Sequence, residues 1–288
     1  MTQPLDLSRI VEIDRFALSV PFLFPDRDPG DLAAHAQWLA PNHVDFTDGT
    51  VLLGVQSLLL RHGGLNILID TCVGACKERP LRPDWHRIAP DIYLGQLAQA
   101  GLRAEDIDIV LCTHLHADHV GWNTRLENGT WVPTFPNARY LIAGAELDHW
   151  TAQEALAPGR HNHGAFADSV LPVVQAGLVD RVQDGFDLGR GLHLVGLPGH
   201  SPGQVGLELH RPGAAPVCFC GDAFHTVAQA VQPDWHSRFC ADGAQSSRTR
   251  RGLLDRSATE GLRIVPSHIR RDVGFTFDGR RAALLQSL

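Results

Sequence analysis

One stretch near the middle of this chain restricts its fold more than any other. Residues 107–112 are mostly apolar and β-branched, which predicts a buried strand. His114 and His116 follow two residues apart and would point to the same side of an extended segment. Asp118 and His119 come next in a tighter turn and would face a second point, so the spacing favours two metal ions over one. A chance cluster among the 16 histidines of the chain is the alternative.

Four further apolar runs end in a side chain of the same kind. They cover residues 65–69, 192–197, 216–220 and 262–265, and they lead to Asp70, His200, Asp222 and His268. Strand ends hold the loops that follow them, and α/β architectures place their chemistry there. Five such endings in order predict a sheet-based scaffold whose loops converge at one edge. Imidazole and carboxylate ligands without thiolate favour zinc, with manganese, cobalt or iron as alternatives.

The motifs at these strand ends are specific in their order. They read L-I-D-T, H-L-H-A-D-H-V-G, L-P-G-H-S-P-G, C-G-D-A and P-S-H. This series resembles the ordered motifs of the metallo-β-lactamase superfamily and spans about residues 50–270. The resemblance implies an α/β fold, a four-layer αβ/βα sandwich of two mixed β-sheets flanked by helices. It also leads us to expect a single domain over residues 1–288, with residues 1–50 as an N-terminal extension or lid packed on it.

The resemblance also implies a ligand set for two divalent metal ions per chain. Zn²⁺ is favoured, with Mn²⁺, Co²⁺ or Fe²⁺ as alternatives. Asp222 would bridge the two ions, and Asp70 would hold the ring of one ligand through a hydrogen bond. The remaining ligands would be His114, His116 and His200 on one ion, and Asp118, His119 and His268 on the other.

Such a site would carry out hydrolysis. Two divalent ions that share a water lower its pKa toward neutrality and polarise the carbonyl or phosphoryl oxygen under attack. Asp118 would lie near the attacked atom and could carry a proton to the leaving group. We therefore expect a metal-dependent hydrolase that needs no organic cofactor.

Within the superfamily the chain is most similar to the branch that contains N-acyl homoserine lactonases and methyl parathion hydrolase. The complete ligand set and the segment from Asp70 to a basic, Pro-rich stretch carry this similarity. It implies that the enzyme opens lactones or cleaves related carboxylic esters by a metal-bridging hydroxide. The alternatives are an organophosphate triester hydrolase or a β-lactamase on the same site, and an iron-dependent sulfur dioxygenase.

One position departs from the lactonases. They often have a tyrosine three residues after the bridging aspartate, whereas this chain has His225. Methyl parathion hydrolase is similar to this chain there, which keeps phosphotriesters open as substrates. We predict that His225 is catalytic and donates a hydrogen bond to the substrate oxygen. The alternative is a histidine that packs on its loop without a role.

Composition limits the partners. The formal net charge is −7 and 20% of the residues are charged, so nucleic acid is a poor partner and a small-molecule substrate is expected. No signal-like start or membrane-length apolar run is visible, and the six sparse cysteines indicate reduced thiols rather than a disulfide framework. We expect a cytoplasmic protein with no membrane partner, and a homodimer is possible.

Two regions are predicted to face solvent. Residues 152–166 have no clear periodicity and are expected to form a loop, with His161 and His163 exposed on it. A basic helix is expected within residues 242–261, with its arginines on a solvated outer face rather than in a nucleic-acid patch. Its arginines include Arg248, Arg250, Arg251 and Arg256.

Overall fold

The computed structural model of this chain describes residues 4–288, which divide into two compact units. The first unit contains Leu5–Glu12 and Val55–Gln183. The second contains Ile13–Gly54 and Asp184–Leu288. The prediction that the whole chain is one domain, with residues 1–50 packed on it, stays a prediction.

The first seven-stranded sheet has the order β1-β3-β4-β5-β8-β9, with β2 beside β3. A hairpin joins β3 to β4 at Gly63-Gly64, where both glycines have positive φ, and β4, β5, β8 and β9 then run parallel. The parallel strand β5 is apolar and buried throughout, as expected of a strand covered on both faces. The strands are β1 (Asp6–Ser19), β2 (Val44–Asp45), β3 (Thr50–His62), β4 (Leu65–Ile69), β5 (Ile109–Cys112), β8 (Arg139–Ala143) and β9 (Val179–Val182). A separate two-stranded sheet pairs β6 (Thr124–Glu127) with β7 (Thr130–Pro133).

The second seven-stranded sheet runs in chain order from β10 to β16. Its neighbours are antiparallel except for β13 and β14, which are parallel because helix α7 connects them. Asp242 caps the start of that helix, and Gly261 ends it in the left-handed conformation with φ 72°. The strands are β10 (Asp187–Gly189), β11 (Leu192–Gly196), β12 (Val205–Leu209), β13 (Val217–Gly221), β14 (Arg263–Pro266), β15 (Gly274–Phe277) and β16 (Ala282–Leu285).

Helices and short 3₁₀ turns connect these strands. The α-helices are α1 (Val20–Leu23), α2 (Ala36–Leu39), α3 (Asp91–Gln99), α4 (Ala117–Val120), α5 (Gly144–Leu156), α6 (Leu171–Gln175) and α7 (Gly243–Glu260). Among the described residues, no helix is long and apolar enough to cross a membrane. Two mixed sheets with connecting helices agree with the predicted α/β fold class.

Two predictions about the solvent-facing regions are wrong. Residues 152–156 are helical rather than looped, because α5 continues to Leu156 through good helix formers that lack an apolar stripe. Arg250 is completely buried rather than solvated, and it donates to the backbone oxygens of Ala223 and Pro233 and to Ser246. A buried arginine that satisfies backbone carbonyls cannot be distinguished by sequence pattern from its exposed neighbours.

Candidate metal centre

In the first unit, the loop after β5 brings two imidazoles together. The Nε2 atom of His114 lies 3.0 Å from the Nδ1 atom of His116. The side chain of His114 is fully buried, and that of His116 is half-buried against the ring of Trp150, with ring centroids 5.5 Å apart. Two ring nitrogens at this separation can serve as neighbouring ligands of one ion.

The tautomer of His114 follows from its other ring nitrogen. Nδ1 lies 3.1 Å from the hydroxyl of Thr113, and that hydroxyl lies 2.9 Å from a carboxylate oxygen of Asp70. Because the carboxylate only accepts, the hydroxyl donates to it and receives the Nδ1 proton of His114. The lone pair of His114 is therefore on Nε2, the atom that faces His116.

Asp70 orients His119 in the same way. Its Oδ2 atom accepts from Nδ1 of His119 at 2.8 Å, which places the lone pair of that ring on Nε2. Asp118 Oδ1 lies 3.8 Å from this Nε2 atom, and the side chain of Asp118 keeps 18% of its surface exposed, whereas His119 keeps 1%. Asp70 therefore contacts the ring of His119, one of the predicted ligands, and the ligand role itself stays a prediction.

Other side chains of the first unit hold this loop through its backbone. Glu146 accepts from the amide of Leu115 and from the indole of Trp150. Asn162 accepts from the amide of Ala117 at 2.9 Å. These residues lie far along the sequence from the motif, which is why sequence reasoning missed them.

A buried glutamate holds the loop that follows Asp70. Glu12 accepts from the amides of Val73 and Gly74 and from the indole of Trp122. Burial raises the pKa of Glu12 to about 7, and hydrogen bonds from Val73, Trp122 and Gly74 only partly oppose that rise. Glu12 thus connects two motif-bearing loops, and a lone glutamate in a strand-like sequence gave no sign of this role.

In the second unit, three imidazoles converge on one carboxylate. The Nε2 atoms of His200 and His225 lie 3.5 and 3.4 Å from Oδ2 of Asp222, and Nε2 of His268 lies 3.2 Å from Oδ1. All four residues are buried, with at most 5% exposure. Asp222 follows β13 directly, while the three histidines come from the loops after β11, β13 and β14.

Neighbouring groups hold these rings. The Nδ1 atom of His268 donates to the backbone oxygen of Gly54 at 2.7 Å, so its Nε2 atom has the lone pair that faces Asp222. Ser237 lies 3.3 Å from Nε2 of His225, and the thiol of Cys240 lies 3.7 Å from Nδ1 of His200. The short 237–240 segment therefore contacts two of the three imidazoles, which the sequence did not indicate.

Gly199 allows the loop of His200 to approach helix α7 closely. Its φ is 130°, and a Cβ atom there would stand 2.2 Å from the backbone nitrogen of Ser246. Only glycine combines that backbone conformation with that contact. This explains the glycine immediately before the histidine in the motif.

The donor atoms in each unit fit a divalent transition metal. They are imidazole nitrogens and carboxylate oxygens, and the lone pairs of His114, His119 and His268 are fixed by hydrogen bonds on the opposite ring nitrogen. The separations of 3.2–3.5 Å around Asp222 are longer than charge-assisted hydrogen bonds and suit ligands of a shared cation. His200, Asp222 and His225 also form a group of potential ligands within 4.8 Å of one another.

The structure thus brings the predicted site residues together as two sets. The first unit contains His114, His116, Asp118 and His119, and the second contains His200, Asp222, His225 and His268. His163, expected to face solvent, is half-buried and packs edge-on against Trp85, with ring centroids 5.8 Å apart. His161 is also half-buried.

Comparison with known proteins identifies the family. The profile of the Metallo-beta-lactamase superfamily matches residues 50–268, which include both sets of site residues. The chain therefore belongs to this superfamily, and the predicted family and fold class are confirmed.

Individual relatives are more distant. The N-acyl homoserine lactonase AttM of Rhizobium radiobacter is 27% identical over 184 residues, covering 60% of this chain and 66% of that protein. Among solved structures, the hydrolase AbOPH of the beta lactamase superfamily has a TM-score of 0.77 at 23% identity, covering 99% of this chain and 95% of the other. AidC, a dizinc quorum-quenching lactonase in complex with a product, has a TM-score of 0.76 at 19% identity, with the same two coverages. The chain spans about half to two thirds of the length of the first relatives that it matches.

Proposed function

We propose that this protein is a dinuclear metal-dependent hydrolase that opens lactones or cleaves related carboxylic esters. The observation that carries the proposal is the convergence of three buried imidazoles on Asp222 at 3.2–3.5 Å, separations that suit ligands of a shared cation. The superfamily match includes this set and the histidines after β5. In the proposal the two sets act together on two divalent ions, with Zn²⁺ favoured.

We assign the ligands as the family resemblance implies. His114, His116 and His200 would hold one ion, Asp118, His119 and His268 the other, and Asp222 would contact both. Such ions supply Lewis acidity and a more acidic water when bound. Asp70 supports the assignment because it fixes the ring of His119 directly and that of His114 through Thr113.

Two residues of the chain would act on the substrate. Asp118 keeps 18% of its side-chain surface exposed, so it can accept a proton from the attacking water and deliver it to the leaving group. His225 would donate a hydrogen bond to the substrate oxygen, with Ser237 as a neighbour that holds its ring.

The substrate class rests on the relatives. AttM is named an N-acyl homoserine lactonase, and AidC is a dizinc lactonase whose structure holds N-hexanoyl-homoserine as product. A lactone presents one uncharged electrophilic carbonyl, which suits a site that activates water. His225, at the position where lactonases often have tyrosine, favours phosphotriesters as the second candidate.

The proposal also includes the cellular location, the partners and the oligomeric state of the protein. We propose a cytoplasmic enzyme that acts on a small molecule and has neither nucleic acid nor membrane as a partner, and a homodimer is the assembly to test. The acidic net charge of −7 supports the absence of a nucleic-acid partner. Size-exclusion chromatography with light scattering tests the dimer directly.

A hydrolysis screen tests the proposed reaction. Zinc-, manganese- and cobalt-loaded protein is offered lactones, aryl esters, phosphotriesters and a cephalosporin, with the Asp118→Asn variant as the matched control. We expect turnover of lactones or aryl esters that the control lacks. Intact lactones and esters combined with efficient turnover of phosphotriesters or the cephalosporin would refute the substrate class, and oxygen uptake by a one-iron protein would refute hydrolysis altogether.

A further inference from the structure

A second group of potential metal ligands lies on the sheet of the second unit, apart from Asp222. His193 on β11 stands directly opposite Glu208 on β12, and His210 follows Glu208 by two residues. Opposite residues of an antiparallel pair share a face, and so do residues two apart on one strand. All three side chains therefore project from the same face of the sheet. Their neighbours Leu192, Leu194, Leu207 and Leu209 are buried on the other face.

The three side chains are close enough to share an ion. His210 Nε2 lies 3.0 Å from Oε2 of Glu208, and the rings of His193 and His210 stack with centroids 4.6 Å apart at 28°. One ligand atom from each residue lies within 4.8 Å of the other two. Two imidazole nitrogens and one carboxylate oxygen at these separations can close around an ion with bonds of about 2.0–2.2 Å.

We propose that His193, Glu208 and His210 form an additional binding site for a divalent transition metal such as Zn²⁺ or Cu²⁺. The site lies at the opposite end of the β11–β12 pair from His200, because His200 is in the loop that joins Gly196 to Val205, whereas His210 follows the far end of β12. It is therefore separate from the hydrolytic centre proposed above, and it does not depend on that proposal.

The carboxylate of Glu208 is buried and held in place by hydrogen bonds, as expected of a metal ligand. Its side chain is 3% exposed, and the guanidinium of Arg256 on α7 donates to both of its oxygens, NH1 to Oε1 and NH2 to Oε2. Burial alone would raise the pKa of Glu208, but hydrogen bonds from Arg256 and His210 outweigh it and lower the pKa. The group is thus an anion at neutral pH, with one oxygen held mainly by Arg256 and the other facing His210.

Arg256 would then act as an orienting partner of a ligand carboxylate. Ligating carboxylates are commonly hydrogen-bonded from outside the metal site. The charge of Arg256 is shared with Glu260, whose carboxylate lies 3.2 Å from its Nε. Bound metal would connect β11, β12 and, through Arg256, helix α7, so the site would brace the sheet against its covering helix.

Solution access is adequate for exchange with free metal. The side chain of His210 is 46% exposed, and His193 is half-buried. Entry of an ion requires the loss of the His210–Glu208 hydrogen bond. The competing interpretation is a surface ion pair that binds no metal.

The test measures a difference between variants of the full-length, metal-loaded protein. Wild type, His193→Ala, His210→Ala and a control, His35→Ala, are equilibrated with the same micromolar free Zn²⁺ and analysed for metal per chain. His35 belongs to none of the potential ligand groups among the described residues. We expect His193→Ala and His210→Ala to bind one ion fewer than wild type and the control. Equal counts, or a difference that emerges only at millimolar metal, would overturn the proposal.

A second, spectroscopic experiment does not depend on the absolute number of metal ions per chain. Cu²⁺ is added to zinc-loaded protein, where it displaces zinc because nitrogen and oxygen ligands bind it more tightly. Electron paramagnetic resonance then reports the coordinated nitrogens, and subtracting the spectrum of a histidine variant removes the signal of any other site. Wild type should show two nitrogens at this site, and either histidine variant one or none. Because the side chain of His210 is 46% exposed and that of His193 is half-buried, far-UV circular dichroism should be unchanged. If the residues around Asp222 bound no metal, wild type and the histidine variants would still differ in the number of coordinated nitrogens. The two proposals can therefore be refuted independently.

Discussion

The two sets of candidate ligands are built in different ways. The first set occupies a six-residue segment after one strand, and Asp70 fixes two of its rings through hydrogen bonds of 2.8–3.1 Å. The second set comes from three separate loops, and its centre is the carboxylate of Asp222 itself. The first set is thus held from outside by a buried carboxylate, whereas the second is organised around a candidate ligand. Changes at supporting residues should therefore matter more for the first set than for the second.

The largest expected effect concerns Asp118, a partly exposed member of the first set. Asp118→Asn keeps the size of the side chain but removes its negative charge and its capacity to carry a proton. We expect kcat to fall by about 10²-fold or more. Steady-state kinetics on the substrate found in the screen measure this, with Asp187→Asn at an exposed position of the other unit as control. Near wild-type turnover would exclude Asp118 as ligand and proton carrier.

His225 tests the second set. If it contacts the substrate oxygen, His225→Ala should lower kcat by about 10- to 100-fold with unchanged metal content. Loss of metal together with activity would instead make His225 a ligand, which its place within the His200–Asp222 group allows. Unchanged kinetics would leave it a packed loop residue.

Substitution of the residues that hold each set compares the two sets most directly, because it measures how far metal affinity depends on that support. Asp70→Asn should weaken metal binding by about 10- to 100-fold, because the ring of His119 loses its charged partner. Cys240→Ala should change it by less than about threefold, since a thiol 3.7 Å from Nδ1 of His200 is a weak partner. Competition with a chromogenic chelator measures both affinities. Equal losses would contradict the proposed difference between the two sets.

The last prediction concerns folding stability rather than catalysis or metal binding, and it is a pH dependence centred on Glu12. The pKa of Glu12 is raised to about 7 in the folded protein from its ordinary 4.5, so the folded protein keeps a proton that the unfolded chain loses above pH 4.5. The resulting contribution to stability is present below that pH and is lost as the pH rises to about 7. It amounts to as much as about 3 kcal/mol. Urea denaturation of wild type and Glu12→Gln from pH 4.5 to 7.5 should show a steeper decline in wild type, and parallel curves would refute this assignment.

The difference between contiguous ligands and supporting residues that are distant in sequence explains which parts of the site the sequence could predict. The histidines after β5 could be predicted because the strand, the turn and the candidate ligands are contiguous in the sequence. The other candidates could be predicted because each directly follows an apolar run or a glycine-rich turn; they are Asp70, His200, Asp222 and His268. Four supporting residues could not be predicted, because their partners lie far away in the sequence and a single polar residue has no periodicity. They are Glu12, Glu146, Ser237 and Cys240. Strand β12 was missed for a related reason: it is short and fully buried, and Glu208 interrupts its apolar pattern.

Metal content tests the central claim, that the two sets together hold two divalent ions. The measurement uses the His210→Ala background, so that the additional site on β11 and β12 does not contribute. Protein equilibrated with Zn²⁺ and freed of unbound metal should contain two ions per chain by elemental analysis, and His119→Ala in this background should contain close to one. A value that never exceeds one ion per chain in well-loaded, folded protein would contradict the account.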